Sequence, residues 1–121
     1  PEQHDEMRCV LEFVHHVPDR ARAAGEVKRL NDHLLNSGLV GDVHDTGYVR
    51  KPLDWAPRPD HPCRSLFNPQ VIEANLDALI AAQQADGGWT ISWPPVSPAC
   101  ELEWRGWLTL SALLVLKANG R

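Results

Sequence analysis

One short stretch of this sequence combines residue types that bind metal ions. Asp60, His61 and Cys63 each offer an atom that Zn²⁺ accepts as a ligand, and His33 or His44 could supply a fourth. The stretch has no paired ligand motif such as C-x-x-C, so a proline-rich turn around a buried cysteine is the simpler interpretation. We therefore expect no metal ion and no other cofactor.

Two carboxylates lie next to tryptophans in the sequence, Asp54 and Glu103. If either carboxylate faced an apolar cavity, burial would raise its pKa and make it a candidate general acid. Glu103 also lies near the start of a predicted helix, where the helix dipole favours an acidic residue without any catalytic role. In the same turn, Glu101 and Arg105 have the spacing of an ion pair along one helix face.

Tryptophan is abundant, with five residues in the chain. The face of an aromatic ring attracts cations and stacks on apolar chains, so tryptophans can line a binding pocket. Ordinary packing at helix junctions is the alternative, and it is favoured for Trp89 and Trp93. The candidates for a ligand pocket are therefore Trp55, Trp104, Trp107, Glu103 and Asp54.

Apolar residues at spacings of three and four predict four main helices that would position these groups. The predicted helices run from about Asp5 to Val17, from near Asp19 to Gly38, from Asn68 to the turn at Asp86, and from Ser97 to Asn119. The last of them is apolar nearly all round, which is typical of an inner helix with neighbours on most sides. The fold class is predicted to be all-α.

Between Leu39 and Phe67 the helical periodicity disappears, and four prolines exclude a continuous helix. Loops of this length are either functional or disordered. Tyr48, Leu53 and Trp55 could pack onto the helices. We therefore expect a long, proline-rich and ordered loop.

The most specific motif is a glutamine at a helix end followed by an Asp-Gly-Gly-Trp turn. Its residues are Gln83, Asp86, Gly87, Gly88 and Trp89. The glutamine amide can bond backbone groups that the helix end leaves unpaired, the glycines permit the turn, and the indole can cover the junction. Gly88 is expected to adopt a conformation that alanine resists. A related Asp-x-Gly-aromatic pattern at 45–48 suggests an internal repeat, since Trp-x-Pro follows both copies.

The segment 79–89 resembles the QW motif of the squalene cyclase and prenyltransferase repeat family. The resemblance covers residues 68–121 and reaches the first half only through the internal repeat. It implies helical hairpins of a partial α/α toroid, arranged as one domain of two repeats at roughly 1–67 and 68–121. Because arrays of this kind need about three repeats to bury their faces, we expect a C-terminal fragment of a longer bacterial protein, or self-association.

The catalytic patterns of that family are missing from this sequence. No D-x-D-D segment occurs, and the spacing of Asp60 and Cys63 departs from the Asp-x-Cys zinc pattern of prenyltransferase β subunits. The resemblance therefore implies a non-catalytic toroid module that binds an apolar, isoprenoid-like molecule or a partner protein. The alternative is a terpene cyclase or prenyltransferase-type enzyme whose catalytic residues lie partly outside this chain.

Composition excludes several other classes of function. The 121 residues carry 12 Lys and Arg against 16 Asp and Glu, a formal charge of −4, so a nucleic-acid partner is not expected. The apolar stretch at 108–116 is too short to cross a bilayer. Three cysteines without C-x-x-C spacing indicate a reducing, cytoplasmic location.

Overall fold

The computed structural model describes residues 3–121 and confirms the predicted all-α fold. The part of the chain that it describes contains five α-helices and one short 3₁₀ helix. Their bounds are α1 His4–His15, α2 Arg20–Asn36, α3 Pro52–Trp55, the 3₁₀ helix Arg64–Leu66, α4 Pro69–Ala81 and α5 Pro98–Ala118.

Side-chain caps fix the starts of three long helices where the sequence predicts them. The Asp19 carboxylate accepts from Arg22 N at 3.0 Å, and Asn68 Oδ1 accepts from Gln70 N at 2.8 Å. Ser97 Oγ accepts a third such bond, from the backbone N–H of Cys100. Each cap satisfies a backbone donor that the first helical turn leaves unpaired, which makes these starts predictable.

The first two helices pack against each other around one apolar core. Apolar residues of α1 and α2 meet the end of α3 and the segment that follows it. The buried members are Met7, Leu11, Val14, Ala23, Leu30, Leu34, Trp55, Ala56 and Cys63. We call this set the first core. Trp55 is its largest side chain and is only 2% exposed.

The last two helices form a second, smaller core with the tryptophan of the Asp-Gly-Gly-Trp turn. Its buried members are Leu53, Ile72, Leu76, Trp89, Ala112 and Leu116. The helices run antiparallel, because Arg121 after the end of α5 forms an ion pair with Glu73 in the first turns of α4. We call this set the second core.

The expectation that the last helix is an inner helix is wrong. Only Ala112 and Leu116 of α5 are buried. Its exposed large apolar residues are Leu102, Trp104, Trp107, Leu110, Leu113 and Leu114. Because α4 and the turn at Trp89 cover one side only, most of the apolar circumference of α5 faces solvent.

The connection between α2 and α4 contains more structure than the sequence predicts. Pro52 begins the four-residue helix α3, and the Asp54 carboxylate accepts from Lys51 N at 2.8 Å. Proline at the first position of a helix is favourable, because its missing N–H would have no partner there. Val40 and Arg50 form an isolated bridge that closes the base of the preceding turn.

Three polar side chains join the two cores. Asn75 on α4 accepts from Leu53 N at 2.9 Å through its Oδ1 atom. Asn119, after α5, donates to Pro57 O at 2.8 Å and accepts from Arg64 at 2.7 Å. The connecting segment is therefore held to α4 and to the end of α5 as well as to the first core.

Candidate functional site

The glutamine of this motif bonds within the Asp-Gly-Gly-Trp turn, and the tryptophan bonds the end of α4. Gln83 Nε2 donates to Gly87 O at 2.8 Å, so this amide closes the turn. Trp89 Nε1 donates to Leu79 O at 2.8 Å, and the Trp89 backbone N–H donates to Thr109 Oγ1 on α5 at 3.1 Å. The turn therefore links the last carbonyl groups of α4 to the middle of α5.

The two glycines of this turn have different roles from those expected. Gly87 has the positive φ, +85°, that L-residues rarely adopt, whereas Gly88 does not. A Cβ at Gly88 would lie 3.2 Å from Thr109 Oγ1 and 3.3 Å from an Arg105 nitrogen. Close approach of α5, rather than backbone conformation, is what restricts Gly88.

Arg105 pairs with the turn and not with Glu101. Its guanidinium donates to Asp86 at 2.7 Å, and the other oxygen of that carboxylate accepts from Gly88 N at 3.0 Å. The hydrogen bond from Arg105, aided by that from Gly88, holds the pKa of Asp86 below its ordinary value. The expectation of an ion pair along the helix is wrong, because the turn brings a carboxylate to Arg105 from outside α5.

The proposed internal repeat has no counterpart in the backbone. At 45–48 the positive φ belongs to Gly47, the third residue of the pattern, whereas at 86–89 it belongs to the second. Asp45 accepts from the preceding Asp42 N, while Asp86 accepts from the following Gly88 N. Tyr48 is 52% exposed where its counterpart, Trp89, is buried. The two turns are therefore similar in residue type but differ in backbone conformation.

Three of the predicted pocket tryptophans and Asp54 line one open cavity of about 860 Å³, which we call the aromatic cavity. It lies between α1, the segment 48–61 and the first half of α5. Trp104 and Trp107 are 43% and 61% exposed, so their rings are accessible. Trp55 contributes little accessible surface, because it is buried in the first core and donates to Arg50 O at 3.2 Å.

A chain of aromatic contacts connects Tyr48 and Trp104, two residues that line this cavity. The ring centroids of Tyr48 and Trp93 are 5.6 Å apart and those of Trp93 and Trp104 are 5.4 Å apart, both edge-to-face. His4 on α1 meets Tyr48 in the same way at 5.0 Å. Edge-to-face contacts orient the rings, so they hold four separate segments of the chain in a fixed arrangement.

Charged groups that the sequence analysis did not select lie at the same cavity. Arg50 donates to Asp5 at 2.8 Å and lies over the Tyr48 ring, 5.1 Å from its centroid. Although burial acts in the opposite direction, the hydrogen bonds from Arg50 and Tyr48 hold the pKa of Asp5 below its ordinary value. Arg50 Nε is buried and has no hydrogen-bond partner within residues 3–121. No spacing rule connects Asp5 to Tyr48, so this cluster could not be predicted from the sequence.

The two carboxylate candidates are not placed as general acids. Glu103 is exposed and lies outside the aromatic cavity. Asp54 lines the cavity, but it is exposed and its carboxylate caps α3. Asp54 and Asp45 also line a neighbouring cavity of about 490 Å³, where Asp45 bonds the backbone of its own turn. Both aspartates therefore have structural partners already.

The candidate metal ligands each contact protein groups. Asp60 pairs with Arg58 at 3.3 Å, and His61 Nδ1 accepts from Cys63 N at 3.2 Å. The Cys63 thiol donates to Asn31 Oδ1 at 3.3 Å, and burial raises its pKa to about 11, so it is protonated at neutral pH. Within residues 3–121 no three His, Cys, Asp or Glu side chains form a group that could hold a metal ion.

No protein-family model matches this chain, and neither a curated protein nor a solved structure matches it. None of the helices between residues 3 and 121 combines the length and apolar character that crossing a bilayer requires. The function must therefore be inferred from the geometry of the aromatic cavity.

Proposed function

We propose that this chain is a non-catalytic helical module, of the type found in the squalene cyclase and prenyltransferase repeat family, that binds an apolar, isoprenoid-like molecule. The observation that carries the proposal is the aromatic cavity, where the exposed rings of Tyr48, Trp104 and Trp107 face one space of about 860 Å³. Ligand sites of proteins usually occupy about 300–1,000 Å³ and are lined by aromatic side chains with a few polar groups.

The exposed aromatic rings of the cavity favour an apolar ligand. Ring faces at the two tryptophans of α5 can stack on unsaturated hydrocarbon. Arg50 also lines the cavity, and its positive charge suits a polar group at one end of the ligand. The turn at 83–89 supports the resemblance to the repeat family, because its glutamine closes the turn and its tryptophan bonds the end of α4.

A binding role fits the carboxylates better than the enzymatic alternative does. A general acid needs a proton at working pH and a path to the substrate. Asp54 instead accepts a backbone hydrogen bond at the start of α3, and Glu103 points to solvent. A reducing location such as the cytoplasm fits the three free cysteines, Cys9, Cys63 and Cys100.

The proposal is tested by titrating the protein with farnesol, a C15 isoprenoid alcohol, while recording tryptophan fluorescence and heat. We expect saturable binding that quenches tryptophan emission. The Trp104→Ala and Trp107→Ala variants should each bind about five- to tenfold more weakly, since each removes one stacking face. Phe13→Ala is the matched control, because Phe13 is a 71% exposed aromatic residue of α1 outside the cavity.

Equal weakening by Phe13→Ala and Trp107→Ala would contradict the assignment, as would the absence of saturable binding. Incubation with farnesyl diphosphate addresses the enzymatic alternative. We expect no release of diphosphate. If diphosphate is released and Asp54→Asn abolishes the release, the result would favour the enzyme instead.

A further inference from the structure

The outer face of α5 carries an apolar strip that the fold leaves uncovered. Leu110, Leu113 and Leu114 are about half exposed, and Trp107 is 61% exposed. Single exposed apolar residues are common on proteins, but four on adjacent turns of one helix form a contiguous patch. Leu110 and Leu113 do not line the aromatic cavity, so ligand binding would leave them exposed.

The spacing within this strip is that of a helix–helix seam. Positions 103, 106, 107, 110, 113, 114 and 117 repeat at three and four residues, and all seven are exposed. The set is symmetric about Leu110. It contains Gly106, where a Cβ would meet nothing within 4 Å, so another helix can approach closely at that position.

The charges and sizes in the strip are complementary to a second, antiparallel copy. Pairing two copies across a two-fold axis at Leu110 brings Glu103 opposite Lys117, Gly106 opposite Leu114, and Trp107 opposite Leu113. Acidic groups would thus meet basic ones, and the smallest side chain would meet a large one. Neither Glu103 nor Lys117 forms an ion pair with a residue in the described range 3–121, so both are available.

We infer that the chain forms a two-fold symmetric dimer by antiparallel pairing of α5 about Leu110. Such an interface is isologous, with the same patch contributed by both copies. The strip from 103 to 117 is about 21 Å long at the helical rise. A contact of that length lies at the small end of stable interfaces, so the dimer should dissociate reversibly on dilution.

Sedimentation equilibrium of the full chain without ligand, over a wide concentration range, tests the inference. We expect a monomer–dimer equilibrium that Leu110→Asp shifts fully to monomer, because each copy would place a carboxylate on the axis. Circular dichroism of Leu110→Asp should match the parent, since Leu110 belongs to neither core. A parent protein that is monomeric at every concentration would overturn the inference and leave the face to a different partner.

Charge reversal tests the antiparallel register. Glu103→Lys and Lys117→Glu should each weaken the dimer roughly three- to tenfold, since each change creates two like-charge contacts across the symmetric interface. The double variant should recover the parent affinity. If the helices pair in parallel or in another register, the double variant will not recover the parent affinity, and that result would contradict the assignment. Val96→Asp, a change at a 93% exposed residue outside the strip, should leave the equilibrium unchanged.

Discussion

The two cores differ in how far each covers the apolar surface of its own helices. In the first, α1 and α2 bury one face each and direct charged residues outward, so Met7, Leu30 and Leu34 are almost inaccessible. In the second, α5 has apolar residues around most of its circumference but buries only Ala112 and Leu116. The first region therefore covers most of its own apolar surface, with Phe13 and Leu35 as exceptions, whereas the second leaves a larger apolar surface exposed.

The two regions also use tryptophan differently. Trp55 fills the first core, while Trp89 closes the second by bonding the end of α4. Trp104 and Trp107 contribute to neither core and line the aromatic cavity instead. Burial thus separates the tryptophans of the two cores from Trp104 and Trp107, which we propose bind the ligand.

The largest expected effect is the loss of either buried tryptophan. Trp55→Ala and Trp89→Ala should each lower the free energy of unfolding by about 3–5 kcal/mol, because a large buried side chain leaves a cavity. Urea denaturation followed by circular dichroism measures this. Trp93→Ala should cost clearly less, since Trp93 belongs to neither core. A loss below about 1 kcal/mol for Trp89→Ala would remove the structural role given to the turn.

The next largest effect on stability is expected for the hydrogen bond that joins α4 to α3. Asn75→Ala removes the acceptor for the buried Leu53 N–H and should cost about 1–3 kcal/mol. Hydrogen exchange should show faster opening at Leu53 and in α4, with less change in α1. Asn36→Ala is the control, because Asn36 is an exposed asparagine that bonds only a carbonyl one turn earlier. Equal costs at the two asparagines would mean that Asn75 does not couple the cores.

Sequence patterns predicted the helices well wherever local chemistry sets the boundary. Asp19, Asn68 and Ser97 begin helices in the structure as predicted, because an N-cap is satisfied within its own turn. The sequence analysis does not predict α3, because it treats the prolines of this segment as helix breakers. Pro52 with Asp54 two residues later is nevertheless a recognisable signal for the start of a helix.

The surroundings of α5 and the charged side of the cavity were not predictable in the same way. Periodicity shows which residues of α5 are apolar, but coverage depends on how many elements pack against it, and that is a tertiary property. The cluster of Asp5, Tyr48 and Arg50 joins α1 to a loop more than 40 residues away. Among the candidate pocket residues, tryptophan is recognisable by residue type, but residue type does not show that Trp104 and Trp107 are exposed while Trp55 is buried.

Two glycine substitutions should change the free energy of unfolding in opposite directions, because one glycine lies in the turn and the other inside a helix. Gly87→Ala should cost about 1–2 kcal/mol, because an L-residue is strained at φ +85°. Gly25→Ala should stabilise by up to about 1 kcal/mol, since it lies inside α2 with nothing within 4 Å of the added Cβ. Thermal melting compares the pair, and effects of the same sign would contradict the turn geometry.

The smallest effect is confined to alkaline solution and concerns the first core alone. Burial raises the pKa of the Cys63 thiol from its ordinary value of 9.0 to about 11. The unfolded chain therefore releases this proton at lower pH than the folded chain, so the contribution to stability is complete below pH 9 and is lost as pH rises toward 11. The difference in unfolding free energy between the parent and Cys63→Ala should shrink over that interval. Cys9→Ser, a substitution at an exposed thiol outside the first core, is the control. A thiol reagent at neutral pH should modify Cys9 rapidly and Cys63 only on unfolding, and rapid labelling of Cys63 would mean that the first core is not closed.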